Sequence, residues 1–159
     1  SWLIPRLEMH FMAPDTGLPG NPPWPAQARF DSTIDFDLDI TEGKVRCRGA
    51  WPNGTLPTAR MLCEDAQGRL LEDRRAEWGK IEFGMESWTE LGGNRRPEMA
   101  YTLSVYRALG GRQLVGSANV SGNKIGEPTS YLTCLLGRPM DGLRCKIHSY
   151  LSTTQELIL

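Results

Sequence analysis

A run of strict two-residue alternation constrains this chain more than any other feature. From Arg29 to Ile40, the apolar residues Phe30, Ile34, Phe36, Leu38 and Ile40 alternate with Asp31, Thr33, Asp35, Asp37 and Asp39. An extended strand turns such a set into one apolar and one charged face. After Thr41-Glu42-Gly43 the pattern resumes, with Val45, Cys47, Gly49 and Trp51 on one side and Lys44, Arg46 and Arg48 on the other. Paired as a hairpin, Asp39 faces Lys44, Asp37 faces Arg46 and Asp35 faces Arg48, while Leu38 meets Val45 and Phe36 meets Cys47 on the inner face. Both faces select the same register, and a slip of one residue would turn the apolar set outward. Alternate aspartates on one strand lie ~7 Å apart, too far for three of them to converge on Ca²⁺. Facing cations explain them better, as a solvated, charge-paired outer face whose pairs are each worth about 0.2–1 kcal/mol.

A second hairpin is expected between Met99–Ala108 and Arg112–Ser121, because Gly110-Gly111 suits a two-residue turn with positive φ at both centres. Leu103 and Val105 then share a face with Leu114, Ala118 and Val120. Pro5–Met12, Arg60–Glu64, Lys80–Met85, Thr129–Leu135 and Leu143–Tyr150 also read as strands, separated by Ala66-Gln67-Gly68, Leu91-Gly92-Gly93-Asn94, Gly122-Asn123 and Asp141-Gly142. Leu70–Trp78 is the one stretch with room for a short helix, although it has no good cap or apolar stripe. Many short strands with Gly and Pro turns predict an all-β domain spanning residues 1–159, an antiparallel β-barrel or β-sandwich. Five prolines and Trp24 between Ala13 and Ala28 forbid regular pairing there and predict an extended, semi-rigid loop.

Four cysteines, Cys47, Cys63, Cys134 and Cys145, allow three disulfide connectivities. The local pairing Cys47–Cys63 and Cys134–Cys145 is expected, since each pair lies on neighbouring strand-like segments joined by one excursion, and each bridge is worth about 3 kcal/mol. Buried free thiols are the alternative; a metal site is weaker, because the cysteine and histidine spacings lack a ligand motif. Two N-glycosylation sequons, Asn53-Gly54-Thr55 and Asn119-Val120-Ser121, join the cysteines in favouring a secreted, extracellular protein. Asn53 sits in a turn-like run with room for a glycan, whereas Asn119 lies in a strand and is accessible only if its side chain points outward. The chain begins at Ser1 with no basic-then-apolar leader, which fits a signal peptide already removed or one never present.

With 18 basic against 19 acidic residues, the chain has no global field that favours nucleic acid or an anionic membrane. No apolar run approaches the ~20 residues of a membrane span. No nucleophile elbow, phosphate-cradling loop, dinucleotide fingerprint or zinc-protease motif is present, and neither a cofactor nor a catalytic residue is assigned. Glu82, Glu86 and Glu90 supply carboxylates too common to count as a glycosidase pair, and His148 reads as an exposed strand histidine. Trp51 belongs to the core. Trp24, in the proline loop, is the best exposed contact for a partner, a sugar or an aromatic ligand. Arg95 and Arg96 form a small basic loop that serves either a partner or only solvent.

A Trp near the start (Trp2), the alternating strand, the Cys-x-x-x-Trp-Pro run from Cys47 to Pro52, Cys63 after a Pro-containing loop, and a final local Cys pair resemble small secreted fungal proteins of the major Alternaria allergen type. The resemblance implies a compact β-barrel with two local disulfides and a non-enzymatic effector or elicitor role. It also implies binding to a host plant protein or to a small aromatic compound such as a flavonoid, in a setting such as the plant apoplast. This chain lacks the extra amino-terminal cysteine of that allergen, so any homodimer would be non-covalent, and the proline-rich insertion departs from its strand-rich start.

Overall fold

The computed structural model describes residues 1–88, 95–148 and 156–159. Among them the chain forms strands β1 (Leu3–Phe11), β2 (Ser32–Ile40), β3 (Gly43–Trp51), β4 (Met61–Leu62), β5 (Lys80–Ser87), β6 (Ala100–Leu109), β7 (Arg112–Ser121), β8 (Thr133–Leu136), β9 (Leu143–Lys146) and β10 (Leu157–Ile158). One antiparallel sheet runs β3-β2-β1-β9-β8, with β10 beside the start of β1; the other runs β4-β5-β6-β7. Isolated bridges, Arg46 to Glu64 and Gly122 to Leu132, link the sheet edges, and no ladder among the described residues closes the ring. Of the two expected all-β architectures the chain therefore adopts the sandwich.

Both expected hairpins form in the expected register, Asp39 to Lys44 and Phe36 to Cys47 in the first and Leu109 to Arg112 in the second. The charge pairing is corrected in detail. Arg46 reaches diagonally to Asp35 (2.6 Å) rather than straight across to Asp37, Arg48 pairs with Glu64 (3.4 Å), and Arg6 of β1 holds both Asp35 (2.6 Å) and Asp37 (3.1 Å). A long guanidinium spans the diagonal between strands, and a third strand supplied a competitor invisible in the hairpin alone.

The inner faces meet in a core of fully buried Leu7, Phe36, Leu38, Ile81, Phe83 and Leu103, with the Phe36 and Phe83 rings edge-to-face at 5.2 Å. Trp51 is buried as expected and donates its indole N–H to the Thr55 carbonyl. Disulfide Cys47–Cys63 ties β3 of one sheet to the residue following β4 of the other, and Cys134–Cys145 joins directly opposed residues of β8 and β9. Arg107 has inward parity on β6, and its guanidinium, almost wholly buried, meets Glu42 at 3.1 Å and donates to the Trp78 carbonyl. An ion pair thus joins the β2–β3 turn to the opposite sheet.

Leu70–Trp78 is not a helix but a series of turns after a single bridge at Leu70. The Asp73 carboxylate accepts the Arg75 amide hydrogen, a local bond that competes with helical pairing. The expected strands Arg60–Glu64 and Thr129–Leu135 are shorter than read from sequence, and the Leu91–Asn94 turn and Glu90 lie outside the described residues. His148 stands exposed past the end of β9 in a left-handed conformation, off the strand itself.

Candidate functional site

The outer face of the six-stranded sheet carries a surface groove of about 580 Å³. Strand alternation sends Thr33 and Asp35 of β2, Glu8 and His10 of β1, and Arg144 and Lys146 of β9 outward into it. β8 closes one side. Because Cys134 must turn inward to reach Cys145, its neighbour Leu135 is forced outward and stands 58% exposed, beside Leu136 at 62%. The groove therefore has charged walls and an apolar lip.

The loop between β8 and β9 is fixed at its end. His10 Nε2–H donates to the Asp141 carbonyl at 2.6 Å, and its ring stacks on Phe30 at 4.5 Å. Arg144 grips both Asp141 carboxylate oxygens at 3.0 Å and holds that carboxyl below its ordinary pKa. The Met140 amide donates to Thr16 of the proline loop. Across the groove Arg46 and Arg6 lower the Asp35 pKa to about 2, and Arg6 is raised in turn by Asp37 and Asp35. Guanidinium pairs hold both carboxylates in their charged form. Lys146 has no ion-pair partner among the described residues.

The sequence-assigned residues lie elsewhere. Trp24 is half-buried; its indole N–H donates to the Ala13 carbonyl, and its ring meets Phe30 edge-to-face at 6.0 Å. It shares a cleft of about 420 Å³ at one end of the sandwich with Met12, Arg29, Asn53 and Arg96. Arg96 is no solvated loop cation. Its guanidinium pairs with fully buried Glu98 at 2.6 Å, donates to the Met12 carbonyl and to Asn53 Oδ1, and lies 4.6 Å from the Phe11 ring centre. Arg95 does not line this cleft and donates to the Gly122 carbonyl. The fold thus gathers Trp24, Arg96 and Asn53 and leaves Arg95 apart.

Asn53 is exposed in its turn. Asn119 lies on the outer face of β7, where its side chain accepts a hydrogen bond from Thr102, while the sequon hydroxyl of Ser121 is buried against Thr129. Glu82 is paired with Arg60 and Lys80, and no group of three metal-ligating side chains occurs among the described residues.

Sequence reading missed the groove because its residues come from four strands whose neighbours are set by topology. One signal was available: adjacent Leu135 and Leu136 cannot both face a core from one strand, and a disulfide at Cys134 fixes Leu135 as the outward one. Compared with family models, curated proteins and solved structures, the chain matches none.

Proposed function

We propose that this protein is a secreted fungal effector or elicitor that acts, without catalysis, by binding a protein of a plant host in the extracellular space. The observation that carries this reading is the groove on the outer sheet face, where the exposed Leu135–Leu136 lip borders walls of fixed charge. Exposed large apolar side chains set beside fixed charges supply the apolar contact and the charge recognition that a protein-binding surface combines. Two disulfides and no free cysteine support an oxidising compartment. Support also comes from the resemblance in cysteine and tryptophan spacing to the Alternaria allergen type.

The test is capture from plant apoplastic fluid with immobilised wild-type protein, Leu135→Asp and Trp24→Ala. A partner retained by wild type and Trp24→Ala but lost with Leu135→Asp supports the groove. Capture unaffected by Leu135→Asp overturns the assignment. Four alkylatable thiols in the native protein would overturn the extracellular reading.

A second reading, an extracellular binder of flavonoid-like or carbohydrate ligands, rests on the run of rings Trp24–Phe30–His10, which links the end cleft to the groove. The core between the sheets is filled by large side chains, so the ligand would lie on this aromatic run rather than inside the fold. Tryptophan fluorescence titrated with flavonoids and cell-wall oligosaccharides tests it; no response across the set overturns it.

A further inference from the structure

Among the described residues each sheet ends in edge strands, and all but one of these are protected. β3 carries Lys44, Arg46 and Arg48 along its length, and the Arg46 backbone is bonded to Glu64. β4 and β10 have two residues each. β8 has four, and the Asn123 side chain caps it by donating to the Cys134 carbonyl and accepting its amide hydrogen. These are the usual devices that keep a sheet edge from pairing with another chain. β7 has none of them. It is ten residues long with an unbroken ladder to β6, contains no proline and no acidic residue, and has one charge, Arg112, at its start.

The open side of β7 follows from its pairing. Ser121 donates its amide hydrogen to Thr129 and accepts one from Leu132, so its backbone groups point away from β6. Antiparallel alternation aims the N–H and C=O of Gln113, Val115, Ser117 and Asn119 the same way, where they have no backbone partner among the described residues. Val115 on the outer face is 57% exposed and Leu114 on the inner face 38%.

We propose that β7 pairs antiparallel with β7 of a second copy, joining the two four-stranded sheets into one eight-stranded sheet with its two-fold axis at Val115. The segment is complementary to itself about that point. Val115 meets Val115 of the second copy, Gln113 meets Ser117, Leu114 meets Gly116, and Arg112 falls opposite Ala118, so no like charges face each other. The inner side of Gly116 is packed by Trp2 and Leu159, which gives the incoming Leu114 apolar side chains to rest on. The edge is short against the ~1,600 Å² of a standard interface, so the dimer is a weak, concentration-dependent one. This surface is independent of the groove.

Sedimentation velocity on glycan-free protein, from about one to several hundred micromolar, measures the association. A concentration-dependent monomer–dimer equilibrium is expected. Val115→Lys sets two cations face to face at the axis and weakens it at least about tenfold. Ser117→Pro removes an edge donor and abolishes it. Leu135→Lys, on the other sheet, leaves it unchanged. Hydrogen exchange at Gln113, Val115 and Ser117 slows as concentration rises, an observation that stands even if Ser117→Pro fails to fold. A monomer across the range, a dimer insensitive to Val115→Lys, a dimer lost in Leu135→Lys, or protection at these amides independent of concentration overturns the proposal.

Discussion

Replacing Arg96 by alanine distinguishes an internal anchor from a surface contact. Glu98 is fully buried, its Oε2 lies 2.6 Å from the Arg96 guanidinium, and its Oε1 has no hydrogen-bond partner among the described residues. Arg96→Ala leaves a buried carboxylate uncompensated and removes the donor to the Met12 carbonyl and the cation over Phe11. Breaking one side of such a pair costs about 3–5 kcal/mol, a large part of the roughly 5–15 kcal/mol that holds a domain together. With a slope of about 2 kcal/mol/M, ordinary for small proteins in urea, the midpoint falls by about 1.5–2.5 M. Replacing both partners, Arg96→Leu with Glu98→Leu, removes the stranded charge and recovers most of the loss. Equilibrium unfolding followed by tryptophan fluorescence measures all three proteins. A loss below about 1 kcal/mol in Arg96→Ala, or a double variant no better than the single one, refutes the argument and returns Arg96 to the surface.

Two further outcomes are expected. Asp35 titrates at about 2 in the folded chain, well below its ordinary 3.8, because Arg46 and Arg6 bond its charged form. Its contribution is therefore complete above the unfolded value and is lost as pH falls toward 2; Asp35→Asn costs about 1–2 kcal/mol near neutrality, after allowance for screening at the partly exposed partners, and nothing in strong acid. Urea midpoints of wild type and variant that stay equally far apart at both ends of that range would refute it. For the sequons, folded protein offered to a glycosylating extract is modified at Asn53, where Asn53 and Thr55 are exposed, and not at Asn119, whose Ser121 hydroxyl is buried. Mass spectrometry of tryptic glycopeptides decides, and modification of Asn119 on the folded chain contradicts the reading.

What could be read from the sequence was whatever depends on neighbours along the chain. Alternation between Phe30 and Trp51 carried the first hairpin with its register, and Gly110-Gly111 carried the second, since a strand of period two exposes every register error to water. Local cysteine spacing carried both disulfides, because each closes one excursion between strands consecutive in the chain. The partners of the charges were decided by strand order. Arg6 comes to Asp35 and Asp37 only because β1 lies beside β2, and Arg96 turns inward only because Glu98 is buried beneath it. The groove likewise needs β9, far away in sequence, set beside β1 and β8 set beside β9 before Glu8, Lys146 and Leu135 share one face. Sequence alone determined which face of each strand is apolar, since that is a property of adjacent residues. Tertiary structure decided which strands lie side by side, and with it what the polar faces hold.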